Sequence, residues 1–590
     1  MDKKRRWTAG QRQSLVGVLG LCLAVGCSGK IGGKDDGEAT GTPGVTPATF
    51  ECDASAEPTE LPLRRLSRVQ YVNSVGEVVR RTVPAQATTI LAGLDPLFAR
   101  FPEDRRVAKD DDKRGGFRRL DQVVQQGHAD VQYDVAVALG KALTADAKTL
   151  GAAVGACATD ADTGNDAACL DEFIRRFGLV VQRRPLADDD VKFYRDIAGT
   201  TPVQPAALAD VIATLLASPR FVYHVEHGVG TTTTAPLSGH ELASRLAYHF
   251  WQSMPDAELL AAAASGKLDT EAGYAEQVAR LFADPKTDAA LDVFALEWLW
   301  LDDLPAMDGR VGDPIYDAFA AGFTPTPALR DALVADTLAA FRHVVRSGGG
   351  FADFFLESRS FARDADVAKI YGVAPMTADP LKVDPARVGL LTRPALLATG
   401  SANTRPIMKG VFIRKALLCD EIPPPPAEAA KVKPELSDHQ TTREVVEALT
   451  QQKGTACNGC HSTLINPLGF STENFDALGR PRATQRLFDA TGKLVADKPV
   501  LTTSIPQVTA DDQRPSSGAA DVTRYLLESG RVQACFARQY FRFTFGRLED
   551  DKKDGCALQA AAEATKGGKS VAEVLRQMAL APAFRRRTFR

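Results

Sequence analysis

The sequence predicts a mostly α-helical chain of several domains, and three observations predict it. Apolar residues recur at three- and four-residue spacing through most of the chain after Leu61, two Ser-x-x-Glu capping boxes open helices, and only one short stretch alternates like a strand. In the first box, Ser238 caps with Glu241, Leu237 is placed to staple Leu242, and Leu242, Leu246 and Phe250 follow every four residues until Pro255 marks the exit. The second box, Ser570 with Glu573, opens the last helix, whose buried side is Val574, Leu575, Met578 and Leu580. The strand-like stretch runs from Arg486 to Phe488 and from Lys493 to Val495 around Asp489-Ala490-Thr491-Gly492, a short β-hairpin with a Gly turn.

Helical periodicity covers 61–79, 117–154, 169–226, 238–306 and 326–371, with breaks at 231–236, 379–384, the proline run 423–426 and 502–517. No internal repeat of fixed period is present. The expected divisions are a leader (1–26), a tether (27–60), helical domains at 61–165, 166–236 and 237–380, a further segment at 381–505 and a C-terminal helical domain at 518–590.

At 590 residues and 63.2 kDa the chain is long enough for about four domains of roughly 150 residues. A hydrophobic content of 44% with 25% charged residues excludes a wholly disordered, collagenous or multi-span membrane chain. The 71 basic and 74 acidic residues leave no surplus for a nucleic-acid partner.

The first residues set the expected compartment. Lys3 to Arg6 are basic, and an apolar run from Leu15 to Val25 ends at Gly26-Cys27, too short to span a bilayer but of signal-peptide length. Ala24 and Gly26 before Cys27 read as a lipobox, so that Cys27 becomes a lipidated amino terminus followed by a Gly-, Thr- and Pro-rich tether. Removing residues 1–26 takes away five basic residues and one acidic residue, which leaves a mature net charge of −7. The expectation is a bacterial envelope lipoprotein, periplasmic or outer-membrane, that contacts the membrane through its lipid and in which disulfides are permitted.

One motif carries chemistry: Cys457-Asn458-Gly459-Cys460-His461. With ten cysteines and eight histidines in the chain, chance placement of this pattern has a probability of about 0.002. Two cysteines three apart can form thioethers to the vinyl groups of one haem, and the next histidine is left to ligate the iron. Zinc, a thiol redox pair and a structural disulfide are the competing uses of the pair. Cys419 and His439 form no second close-spaced ligand pair for zinc, and the strand context of a thioredoxin-type site is absent.

Six further cysteines, Cys52, Cys157, Cys169, Cys419, Cys535 and Cys556, form an even set with fifteen formal pairings. Short loops favour Cys157 with Cys169 and Cys535 with Cys556, which leaves Cys52 with Cys419 by elimination.

Met408 is the first candidate for a second axial ligand, against an ordinary packing role; a methionine there favours electron transfer, an open position ligand or peroxide chemistry. After the motif, Pro467 and Gly469 are expected to break the helix, Phe470 and Phe475 to cover a haem edge, and Arg480 or Arg482 to pair with a propionate. No Ser-His-Asp order, phosphate loop or His-Glu-x-x-His motif is visible. The Asp110–Asp112 and Asp188–Asp190 runs lack cation-loop spacing, and His224, His227, His240 and His249 are as readily buried or capping residues.

Several blocks, in order, resemble a bacterial family. They are Leu63-Arg64-Arg65-Leu66-Ser67-Arg68-Val69-Gln70-Tyr71, Arg184-Pro185-Leu186, Ser218 to Tyr223, Glu241 to Leu246, Met254-Pro255-Asp256, Gly389-Leu390-Leu391, Cys457 to Arg480, and Phe545-Gly546-Arg547. Through them the chain resembles the planctomycete- and myxobacterial-type proteins built from consecutive domains of unknown function with a cytochrome-c-like segment. The resemblance implies an exported, haem-c-like protein and no particular reaction.

The expected function is therefore single-electron transfer by an exported, lipid-anchored protein carrying one covalent haem c on Cys457, Cys460 and His461, with an unidentified redox partner. The alternatives are a haem-dependent oxidase or peroxidase with an open iron position, and a surface scaffold whose Cys-x-x-Cys pair is a disulfide.

Overall fold

Ser67 sets the first helix among the described residues: its hydroxyl accepts from the Gln70 amide while the Gln70 side chain caps back, so Arg68–Thr82 is helical and Arg64–Arg65 before it are extended. The computed structural model describes residues 46–108, 116–199, 203–422 and 437–589; the signal peptide, Cys27, the Asp110–Asp112 run and the proline run at 423–426 lie outside them. Mostly helical architecture is what this structure has. No helix among the described residues is long and apolar enough to cross a membrane.

Two large cores organise the helices. The first is built mainly from Arg68–Thr82, Gln126–Leu143, Asp166–Gln182 and Pro205–Ala217, which contribute Tyr71, Val78, Leu139, Phe173, Ile174 and Ile212 among others. Gln126–Leu143 and Pro205–Ala217 cross at Gly140, where a Cβ would lie 2.4 Å from the Ala209 carbonyl oxygen. The missing side chain is what lets the backbones approach.

The second core runs from Leu237 to Phe584 and also takes in Phe50, Phe117 and Leu120, so the three segments expected from 237 onward share one interior. Its centre is aromatic: Phe294 stacks on Trp298 at 5.4 Å and meets Tyr540 edge-on at 5.2 Å and Phe543 at 5.3 Å. Each such ring adds roughly 1.5–3 kcal/mol by burial. Helix Arg531–Phe545 is buried nearly all round. Its arginines are tolerated there because Arg531 pairs with Asp420, Arg538 with Glu549 and Asp551, and Arg542 with Glu549.

The expected hairpin is present as Thr484–Phe488 paired with Leu494–Pro499, its turn made possible by Gly492 at φ +82°. Two further antiparallel pairs join distant parts of the chain: Arg64–Arg65 with Tyr223–His224, and Thr234–Pro236 with Arg586–Thr588. Both correct the expectation of a single strand pair, and the first also that of helix at Arg64–Arg65 and Tyr223–His224. Strands of two or three residues are too short to show alternation, which is why periodicity missed them.

All six paired cysteines form bridges, but only one of the expected pairings is present. Cys157 bonds Cys169, whereas Cys52 bonds Cys556 and Cys419 bonds Cys535. The expected Cys535–Cys556 and Cys52–Cys419 pairs are therefore corrected. The reason is packing: Cys535 lies on the buried helix beside Ala416, while Gly555 lets the helix carrying Cys556 pass within 1.9 Å (from a hypothetical Cβ) of the Glu51 carbonyl oxygen.

Candidate functional site

The Cys-x-x-Cys-His motif sits on a turn of helix that changes pitch. Thr455 caps Ala456–Cys460 through the Asn458 amide, so both cysteines lie on one short helix. The chain then winds wider over His461–Ile465, where the Asn466 amide reaches back five residues to the His461 carbonyl, and continues as Asn466–Gly469 and Phe470–Thr472. The expected break at Pro467 and Gly469 is thus a change of helix type. Pro467 has no amide hydrogen to donate, and it stands at the start of the new segment, where none is needed.

His461 is oriented by a chain of hydrogen bonds with one polarity. The Thr450 hydroxyl donates to the Val446 carbonyl at 2.7 Å, so Thr450 Oγ1 accepts from Asn466 Nδ2 at 2.9 Å. That assignment turns Asn466 Oδ1 toward His461 Nδ1 at 2.9 Å, and Nδ1 therefore carries the ring hydrogen. Nε2 is left with its lone pair. Cys457 and Cys460 are half-buried and stand outside the three disulfides. Two thiols on one helical turn, followed by an imidazole with a basic Nε2, are a donor set suited to a covalent haem c.

The segment carrying the motif is clamped from behind by Pro406–Phe412 and the wide turn Ile413–Leu417. At this crossing a Cβ on Gly410 would lie 2.0 Å from the Ile465 carbonyl oxygen, and one on Gly469 would lie 1.9 Å from that of Pro406. Arg414 Nε donates to the Leu464 carbonyl at 2.9 Å, and its guanidinium pairs with Asp420, which also receives Arg531. The Cys419–Cys535 bond then ties this clamp to the central helix.

The other residues expected around a haem are placed differently. Arg480 is turned inward: Nε binds Asp476 at 2.7 Å and its two terminal nitrogens donate to the Ala320 and Phe319 carbonyls. Arg482 is likewise held by Glu473. Both arginines are thus engaged by groups of the fold itself. Phe470 is buried beneath the Arg443 guanidinium at 4.4 Å, and Phe475 beneath that of Arg387 at 5.0 Å.

Met408 lines a separate cavity of about 170 Å³ with Trp300, Lys409, Phe412, Glu473 and Phe475; neither cysteine of the motif nor His461 is on its wall. Sequence reasoning did not single out Lys409. Its ammonium is buried and donates to the Leu391 and Leu396 carbonyls at 3.0 and 3.2 Å, and burial pulls its pKa down to about 7. Glu473, also buried, is paired with Arg482 and Thr404, and desolvation pushes its carboxyl above the usual range. A lysine in an otherwise apolar face gives no local signal in sequence.

The other candidate histidines and the described acidic run lie elsewhere in the fold, with His227, Asp188 and Asp189 exposed and His240 half-buried. His224 is buried against Gln70, and burial drives its pKa well down. Asp188, Asp189 and Asp190 occupy the first turn of Asp188–Ala198, where negative charge suits the helix dipole. Among the described residues no group of three or more His, Cys, Asp or Glu side chains is gathered as an ion cage.

Residues 237–373 match the family PSD4, described as a protein of unknown function (DUF1592), and residues 387–485 match PSCyt3, described as a protein of unknown function (DUF1588). The chain thus carries two consecutive domains from families of unknown function, and the second contains the Cys-x-x-Cys-His motif. No curated protein and no solved structure matches it.

Proposed function

We propose that this chain is an exported, lipid-anchored protein of the bacterial envelope that holds one haem c through Cys457, Cys460 and His461 and transfers single electrons. The observation that carries the reading is the Thr450–Asn466–His461 hydrogen-bond chain, which leaves Nε2 as the basic nitrogen beside two half-buried thiols. Bound there, a haem supplies a one-electron iron couple. Asn466 holds the Nδ1 proton and keeps the imidazole in one tautomer and one orientation. The Gly410–Gly469 crossing holds the backbone beneath the motif, and the Cys419–Cys535 bond fixes that crossing to the central core. The name of the matched family, PSCyt3, supports a cytochrome-like reading of the segment. Cys27 would supply the membrane contact, and the redox partner is a further protein or small carrier of the envelope.

The test is expression in a host that attaches haem c, followed by denaturation. Haem absorbance that stays with the polypeptide, and is lost in Cys457→Ala with Cys460→Ala, is the expected result. A polypeptide of bare mass with no haem absorbance overturns the reading. Retention of the protein in the membrane fraction, abolished by Cys27→Ser, tests the anchor separately.

A further inference from the structure

Where the two cores meet, a small buried cavity is lined by Arg64, Arg65, Arg119, Arg245, His224 and His249, and no carboxylate is on its wall. Three of its four guanidiniums have acidic partners. Arg65 pairs with Asp104 at 2.6 Å and Asp121 at 3.5 Å, while Arg245 and Arg64 share Glu226 at 2.6 and 3.7 Å. Arg119 is different. It donates through Nη1 to the Phe543 carbonyl and lies over the Phe543 ring at 3.6 Å, but Nε and Nη2 are buried without a hydrogen-bond partner. The nearest carboxylate acting on it, Glu297, is bound to Arg118 at 3.0 Å.

Other polar atoms on the same wall are also without hydrogen-bond partners, among them Arg65 Nη2, Thr544 Oγ1 and His249 Nδ1. His249 Nε2 meets the Tyr540 hydroxyl at 3.2 Å, and Nδ1 is buried with no partner. Burial and the Arg119 charge hold the imidazole neutral, and burial keeps the Tyr540 phenol protonated. In the tautomer in which the phenol donates to Nε2, Nδ1 carries a hydrogen with no partner in the fold. Two acceptors on the wall are already used, Gln70 Oε1 by His224 and Gln122 Oε1 by the Arg65 amide, and the Thr544 hydroxyl is unpartnered.

An unpaired buried guanidinium costs several kcal/mol unless a counter-charge is supplied. A water could take one of these donors and pass a hydrogen to the Thr544 oxygen, but it would leave the charge in place. The cavity volume of about 30 Å³ is small and favours a compact anion over an organic acid. We propose that this cavity is a binding site for a single monovalent anion of chloride size, held by Arg119 Nε and Nη2 and by His249 Nδ1 and locking the two cores together. The site is independent of the cysteine motif, so it stands whether or not haem is attached.

The test is thermal unfolding of the full mature chain in sodium chloride against sodium gluconate at constant ionic strength. Melting temperature is expected to rise with chloride along a saturating curve. Arg119→Met should melt at the same temperature in both salts. Arg119→Lys, which keeps the charge and loses the fork, should move the chloride midpoint by about tenfold or more. Equal melting of the parent chain in the two salts overturns the proposal, and so does a chloride response surviving in Arg119→Met. Should Arg119→Met fail to fold, a parent-like chloride midpoint in both Arg119→Lys and His249→Phe overturns it equally.

Discussion

Asn466, with no exposure to solvent, presents its side-chain oxygen to His461 Nδ1 at 2.9 Å. Removing that oxygen leaves a ring N–H and the Thr450 hydroxyl each short of a partner. Asn466→Leu is therefore expected to cost about 1–3 kcal/mol in urea unfolding. In the haem-loaded protein the two directions of change should separate. Asn466→Asp places a full negative charge on the Nδ1 proton, makes Nε2 a stronger donor and lowers the midpoint potential, while Asn466→Leu raises it. Potentials unmoved by either change would remove Asn466 from the ligand's support.

The clamp behind the motif depends on two absent side chains. Gly410→Ala and Gly469→Ala would each drive a Cβ to about 2 Å from a backbone carbonyl oxygen, one at Ile465 and the other at Pro406. Backbone cannot yield as a flexible side chain can, so each change is expected to cost about 3 kcal/mol or more. Gly93, in helix Ala87–Phe98, has nothing within 4 Å of its hypothetical Cβ. Gly93→Ala should therefore stabilise by about 0.5–1 kcal/mol. Urea midpoints of the three variants check the contrast, and equal effects would contradict it.

What could be read from the sequence divides along physical lines. The capping boxes at Ser238 and Ser570 were legible because capping is local: the hydroxyl and the carboxylate that satisfy the helix end lie three residues apart, and both are present as expected. The cysteine–histidine pattern was legible for the same reason. The acceptors of Arg480, by contrast, come from Ala320 and Phe319, 160 and 161 residues away in the chain. Lys409, Arg119 and the pairing of Cys52 with Cys556 across 504 residues likewise depend on contacts between distant segments. No spacing rule reports those.

The disulfide connectivity is directly checkable. Peptide mapping without reduction is expected to recover Cys52 linked to Cys556 and Cys419 linked to Cys535. The Cys419–Cys535 bond closes a separation of 116 residues, and Cys419→Ala with Cys535→Ala should cost about 3–5 kcal/mol by loop entropy. A peptide joining Cys535 to Cys556 would contradict the arrangement of the clamp around Ala416.

Lys409 should make stability depend on alkaline pH with a definite sign. Its folded pKa is about 7 against an ordinary 10.5, because burial disfavours the ammonium. Between those values the unfolded chain holds a proton there that the folded chain has released, so stability rises as pH climbs from 7 toward 10.5, by up to about 1.4 kcal/mol per unit. Below pH 7 both states are protonated and the full penalty of the buried charge remains. Glu473, Asp476 and Asp303 also face the cavity, and they are held by Arg482, Arg480 and Arg106 respectively. Those pairs are the same in Lys409→Met, so the difference between the two proteins isolates the lysine. Urea unfolding of both at pH 7 and pH 9 is expected to show the parent gaining on the variant by about 2–3 kcal/mol. A constant difference would mean that Lys409 keeps its proton in the fold, and the cavity would then contain a counter-charge that its Leu391 and Leu396 carbonyl partners do not supply.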